Sequence, residues 1–401
     1  MTEDIGSREE TVFQRKKFGS LEIAVLLAVA FMFSACSSPV TSSTPSTSTS
    51  SGGTVATPLD PGVYVAGYVL SGSGNYPSYW EGQTLHVLPV PTGGYYGIAT
   101  GISADSSGNV YVAGYTEMIS GGAKAPAYWK NGTLYQLDEG GGVQGLTDAI
   151  VLDSSGNTFV TGDITTGTTG NYTTKPCFWE NGSLNTLSDG NAVFGYADKP
   201  WFDSSGNIYF SGAVGTNQVT PTPAYWKMTG EQNPTTMYNI MLDGSSANGD
   251  VIRGEFDNSA NLYLVGDSGS LGSLSPGYSK NGTYSALPLG NGNTYWTEGG
   301  DVLDSSGNLH ISGSVGPSAF YTEPVDWKNG VQAGLPIGPG KSIGVANDEA
   351  CDSQGNLYIA GYVGSDVLTP IASYWKNGVL KTLPMNSSLT YGYATAITCV
   401  K

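Results

Sequence analysis

Few side chains in this 401-residue chain are of types that do chemistry, and their spacing limits which chemistry that is. There are only two histidines, His86 and His310, and neither stands near a second histidine or at the cysteine spacing a transition-metal site requires. A Ser–His–Asp relay would need a nucleophile elbow, and no such motif accompanies them. Polar groups on a recurring strand-like segment are more promising: Asp148, Asp198, Arg253, Glu298, Asp301, Asn347 and Glu349. If a repeating fold brings these segments round one axis, the groups line a channel. There they would bind a ligand or, as carboxyl pairs about 5–10 Å apart, act as general acid and base on a glycosidic bond. Tyr96, Phe194, Tyr196, Tyr295, Trp296, Tyr391 and Tyr393 begin the same segments, where they either stack on a ligand or cap the core.

The elements that must position these residues are written seven times over. DSSGN followed by a β-rich hexapeptide occurs at Asp105, Asp153, Asp203 and Asp304, DSQGN at Asp352, and weaker copies start at Asp60 and Asp257. The marker aspartates are 45, 48, 50, 54, 47 and 48 residues apart, a period typical of a propeller blade. One unit reads as a first strand, a D-x-x-G-N turn, a second strand such as VYVAGY (110–115), a polar loop, a third strand (APAYWK), an Asn-Gly hairpin turn and a fourth strand. Trp80, Trp129, Trp179, Trp226, Trp327 and Trp375 share one column, which predicts core between blades rather than seven separate sites. His310 stands in a column of Tyr and Phe, as a substituted core aromatic. Each D-x-x-G-N turn offers one carboxylate, too few for a calcium loop.

The first unit lacks its first strand, and the chain ends in YGYATAITCVK, which matches YYGIATGISAD at 95–105. The pattern therefore predicts an all-β, seven-bladed β-propeller with four antiparallel strands per blade, over residues 59–401. A C-terminal strand closes the first blade, which removes open sheet edges. The short turns lie on one face of such a ring, and the variable 2–3 and 4–1 loops on the other, where propellers usually bind.

The phrase D-x-x-G-N-x-Y-V-x-G resembles the bacterial SBBP-type β-propeller repeat, and YWKNG is a habit of envelope propellers of that kind. The resemblance implies the fold and is silent about activity. Kelch glycine doublets and WD endings are missing. Lyase propellers of the virginiamycin-lyase kind rely on a histidine and a metal that this chain does not visibly provide.

Residues 1–35 read as an export signal, with Arg15–Lys17 before a short apolar run. The run ends FSAC, which resembles a lipobox and makes Cys36 the lipidated residue. An uncharged Ser/Thr/Pro-rich tether follows at 36–58. The expected location is the bacterial cell envelope, held to an outer membrane or cell surface by lipid. A net charge of −17 argues against nucleic acid as a partner. No cofactor or metal is expected, and the chain is expected to be a monomer.

Cys351 and Cys399 fall at equivalent positions of neighbouring first strands. They are either a disulfide locking the closing strand or two small residues in an apolar column. Cys177 replaces an alanine and is expected to be a buried thiol. The preferred function is a non-enzymatic binding module that presents variable loops to a protein or glycan. The alternatives are a propeller enzyme, a lyase or glycoside-processing, using carboxylates at the channel mouth, and a structural surface protein without a ligand.

Overall fold

The computed structural model describes residues 58–400 except 73, 95, 119–120, 169–170, 218–220, 229–234, 241, 243–247, 271–272, 387–388 and 390. The predicted signal, Cys36 and all of the tether but Pro58 lie outside the described residues. Among the described residues there is no helix, and every segment of regular structure is a strand.

The strands fall into seven antiparallel quartets. The first joins both ends of the chain: β28 (Tyr391–Cys399) pairs with β1 (Val63–Ser71), followed by β2 (Gly74–Glu81) and β3 (Thr84–Val87). The second is β4 (Tyr96–Ala104), β5 (Val110–Glu117), β6 (Lys124–Lys130) and β7 (Thr133–Gln136). The third is β8 (Gln144–Leu152), β9 (Thr158–Thr168), β10 (Asn171–Glu180) and β11 (Ser183–Thr186). The fourth is β12 (Phe194–Phe202), β13 (Ile208–Gly215), β14 (Thr222–Met228) and β15 (Thr235–Asn239). The fifth is β16 (Asn248–Phe256), β17 (Leu262–Ser270), β18 (Ser273–Lys280) and β19 (Thr283–Ala286). The sixth is β20 (Tyr295–Leu303), β21 (Leu309–Ser318), β22 (Tyr321–Lys328) and β23 (Val331–Gly334). The seventh is β24 (Ile343–Cys351), β25 (Leu357–Gly364), β26 (Pro370–Lys376) and β27 (Val379–Thr382). Single-residue bridges, Thr174 to Phe194 and Gly212 to Val251, fuse the third, fourth and fifth quartets into one twelve-stranded sheet.

The inner strands touch in the order β28, β4, β8, β12, β16, β20, β24 and then β28 again. Packed meanders whose inner strands face one another in this way are propeller-like.

The repeated phrases are turn chemistry. Asp105 Oδ1 accepts the N–H groups of Ser107 (3.0 Å) and Asn109 (2.8 Å), and its Oδ2 accepts from Asn109 Nδ2 at 2.7 Å. Gly108 supplies the positive φ of 81° that closes the turn. The Asn-Gly turn is tied to it: Asn131 Oδ1 accepts the Val110 N–H at 2.9 Å, while Asn131 Nδ2 donates to Asn109 Oδ1 at 2.9 Å. The two motifs recur together because their asparagines bond to one another.

All six column tryptophans are fully buried. Each indole N–H reaches a carbonyl of the preceding unit, as Trp129 does to Pro89 at 2.8 Å. Trp80, in the first unit, instead donates to Pro384 at 2.8 Å, in the last. Strand-two glycines such as Gly361 are obligatory because an added Cβ would sit on the carbonyl oxygen of Val345 in the inner strand.

Cys351 and Cys399 form no disulfide. Cys351 faces Leu357 and Cys399 faces Val63, so the two belong to ladders of different sheets. Both stay thiols on strands that do not pair with one another, as the apolar-column alternative has it. Burial, reinforced by Glu349, Asp304, Glu255 and Asp352, pushes the Cys351 thiol up to about 12. Cys177 is buried, as expected.

Candidate site at the axial end of the inner strands

Each inner strand carries one irregularity. In β4 the register jumps from Ala99 to Gly101, leaving Thr100 outside the ladder, and the same bulge recurs at Asp148, Ile252, Asn347 and Thr395. In β12 it takes in Asp198 and Lys199, and in β20 Gly299 and Gly300. A bulge re-aims side chains at one point of a strand. Three sequence candidates, Asp148, Asp198 and Asn347, occupy this column.

Aligned on the bulge, the seven nine-residue strands show where copies differ. The second position is glycine in six strands and Trp296 in β20. The fourth is Ala99, Thr147, Ala197, Val251, Ala346 and Ala394, but Glu298 in β20. The sixth is glycine or alanine in β4, β8, β20 and β28, whereas β12, β16 and β24 place Lys199, Arg253 and Asp348 there. Chemistry is thus concentrated on four consecutive strands, β12 to β24.

Two groupings result. Near the loop end, the Tyr196 hydroxyl donates to Asp250 Oδ2 at 2.9 Å. Burial and the neighbouring Asp250 charge raise the Glu298 carboxyl to about 8, so it is largely protonated at neutral pH. Burial, with Asp250 and Asp198 close by, holds the Tyr196 phenol well above its ordinary range. Deeper, Asp348 joins four quartets. Its carboxylate takes a charge-assisted bond from Arg253 Nη2, lies 3.5 Å from Lys199 Nζ and accepts the Ile397 N–H at 2.9 Å. Asn347 Nδ2 adds a bond to the Ala394 carbonyl at 2.8 Å. Arg253 is buried, and the charges of Asp348, Asp301 and Glu349 outweigh the desolvation that opposes its ionisation. Burial raises Asp301 to about 6 even though Arg253 pulls it down.

The structure divides the predicted aromatics. Phe194, Tyr196 and Tyr393 are buried; Tyr393 stacks on Tyr68 with centroids 4.7 Å apart and meets Tyr362 edge-on at 4.6 Å. These three cap the core. Tyr96, Tyr295 and Trp296 are half-buried, and Tyr391 is exposed. Asp148, Asp198 and Arg253 are buried, and Asn347 is half-buried. No Ser–His–Asp relay is built around His310: its Nδ1 lies 2.9 Å from Asp326 and its Nε2 3.5 Å from Asp304. No cluster of His, Cys, Asp and Glu suited to a metal occurs among the described residues. Sequence reasoning passed over Asp250 and Asp348. Their departure from the column, visible only once the bulge fixes the alignment, was the signal.

No protein-family model and no curated protein matches the sequence. Among solved structures, an ulvan lyase of polysaccharide lyase family PL25 is similar at 12% identity, over 80% of this chain and 85% of that one, with a TM-score of 0.46. A Dyadobacter fermentans protein of unknown function is similar at 7% identity, over 80% and 100% of the two chains, with a TM-score of 0.48. A putative gluconolactonase is similar at 12% identity, over 68% and 87%, with a TM-score of 0.34. Likeness at this level carries no argument about activity.

Proposed function

We propose that residues 59–401 form a closed, seven-bladed β-propeller, held at a bacterial cell envelope through lipid on Cys36, and that it is a non-enzymatic binding module. Its loop face takes an uncharged glycan. One observation carries the reading: where large apolar side chains are exposed. Among the described residues, seven of the twelve lie on the 2–3 and 4–1 loops or beside them, including Met118, Tyr172, Phe320, Tyr321 and Tyr391. The other five are on the outermost strands. Exposed apolar surface gathered on one face marks an interaction site.

Charge narrows the ligand. The inner strands hold eight acidic residues against Lys199 and Arg253. Even with Glu298 and Glu349 neutral this interior repels uronates and sulfates, while half-buried Tyr96, Tyr295 and Trp296 offer apolar faces to a sugar ring. A glycan array probed with the full chain should show neutral oligosaccharides bound and polyanionic ones not. Two stacking faces at about 0.5–1.5 kcal/mol each make the Tyr295→Ala, Trp296→Ala double variant roughly tenfold weaker or more. An empty array, or capture of sulfated glycans only, would remove this reading and leave a surface protein without a glycan ligand.

A second reading, a glycan-cleaving enzyme, has one observation in its favour. Burial and the Asp250 charge raise the Glu298 carboxyl to about 8, the direction a general acid needs. New reducing ends or unsaturated products from an array hit would decide for it.

A further inference from the structure

The tyrosine columns meet the inner strand of the following quartet at every seam, and one seam is unlike the rest. Between the second and third quartets the lower seam consists of Tyr111, Ala113, Tyr128, Ile150 and Leu152, packed as one apolar cluster. At the same five positions between the sixth and seventh quartets stand His310, Ser312, Asp326, Glu349 and Cys351. The first four have become polar or ionisable together, while Cys351 stays a small apolar neighbour. His310 and Asp326 replace two tyrosines as a bonded pair, with Nδ1 to Oδ2 at 2.9 Å. Glu349 replaces isoleucine on β24 and is 3% exposed. Neither of its carboxyl oxygens closes a hydrogen bond of normal length and angle. The Ser312 hydroxyl, which accepts the Gly300 N–H at 2.9 Å, lies alongside.

We propose that this seam is a proton-operated latch in the ring, shut while Glu349 is neutral and loosened when it ionises. The groups around the carboxyl fit that role. Asp326 on β22 and Asp301 on β20 oppose a new negative charge, and Asp304, Glu255 and Asp352 act in the same sense on the neighbouring Cys351 thiol. Arg253 on β16 is the one strong base among the neighbours named, and it is already committed to Asp348. His310, on β21, is held between Asp326 and Asp304. Burial, with Asp326 and Asp301, raises the Glu349 carboxyl well above its ordinary value. The sign follows. Below the ordinary glutamate range both folded and unfolded chains hold the proton, and the seam is at its most stable. As pH rises towards the raised folded value the unfolded chain has already released its proton, so stability falls.

Amide hydrogen exchange on the full chain tests the latch without any ligand. After correction for intrinsic rates, protection in β21 and β24 should fall about tenfold or more between about pH 5 and about pH 9. The equivalent strands β5 and β8, beside the apolar seam, should change far less. Glu349→Gln, which resembles the neutral acid, should remove the difference, and Glu349→Ile, which restores the column's residue, should do the same. Parallel pH dependence of the two seams in the unmodified chain would overturn the proposal, whether or not either variant folds. So would an unchanged difference in a folded Glu349→Gln variant.

Discussion

Deletion of residues 391–401 is expected to abolish cooperative folding rather than merely lower the unfolding temperature. β28 faces β1 through eight residue pairs, from Val63–Cys399 to Leu70–Tyr391. Its side chains are shared among three apolar clusters. Ala394 and Ile397 pack with Val65 and Tyr358, Ala396 with Tyr64 and Val112, and Tyr393 with Ile98 and Tyr362. The buried Thr395 hydroxyl lies 2.7 Å from the Ala99 carbonyl oxygen of the next quartet. Burial of Tyr393 and Ile397 is worth about 1.5–3 kcal/mol each, and each lost ladder bond costs about 1 kcal/mol. The sum is comparable with the roughly 5–15 kcal/mol that holds a whole domain together. The truncated chain should show a broad, non-cooperative melt by circular dichroism and, with an open β1 edge, should aggregate.

Asp348→Ala is expected to cost about 3–5 kcal/mol, because it strands a buried guanidinium without its counter-charge. Arg253 is 2% exposed, and its Nη1 has no hydrogen-bond partner, so the bond from Nη2 to Asp348 is the largest part of a compensation to which Asp301 and Glu349 add. The same substitution takes the acceptor from the Ile397 N–H and so loosens the closing strand. Urea unfolding of the single variant should show the loss. The double variant Asp348→Leu, Arg253→Met should recover most of it, since replacing a buried pair with apolar groups of similar size is often close to neutral. Equal stability of Asp348→Ala and the unmodified chain would mean that the bridge does not span the axis.

The quartets were legible in the sequence because five of the seven units spell the first turn as D-S-x-G-N and the other two keep its aspartate. Asp, Gly and Asn at fixed offsets are demanded by backbone bonds and a positive φ that few other residues accept. The chemistry was harder to read, because it depends on which way a bulge turns each inner strand. Asp148, Asp198 and Asn347 were found as polar residues on those strands, but Asp348, one residue later, closes the axial bridge. The aromatics at strand starts look alike in the sequence, yet Tyr393 is locked into a ring cluster while Tyr391 points outward. His310 was recognisable as a stand-in for tyrosine, and Asp326 was visible in the slot of the same unit that other units fill with tyrosine or phenylalanine. Only the register of β21 against β22 shows that the two exchanges form one pair.

Closure of the ring by the two ends of the chain is the claim on which the loop face, the axial bridge and the seams all depend, and one cross-link tests it. Val63 faces the native Cys399, and the adjacent Gly62–Val400 pair carries the hydrogen bond, from Val400 N–H to Gly62 oxygen at 2.9 Å. Val63 and Cys399 are therefore a non-hydrogen-bonded pair, whose Cα atoms lie about 4.5 Å apart, inside the roughly 4.4–6.8 Å that a disulfide spans. Under mild oxidation the Val63→Cys variant should form an intramolecular 63–399 bridge, identified by peptide mass mapping of the monomer, and its unfolding temperature should rise. A monomer in which Cys399 stays reduced, or cross-linked only between chains, would contradict a ring closed by its C-terminal strand.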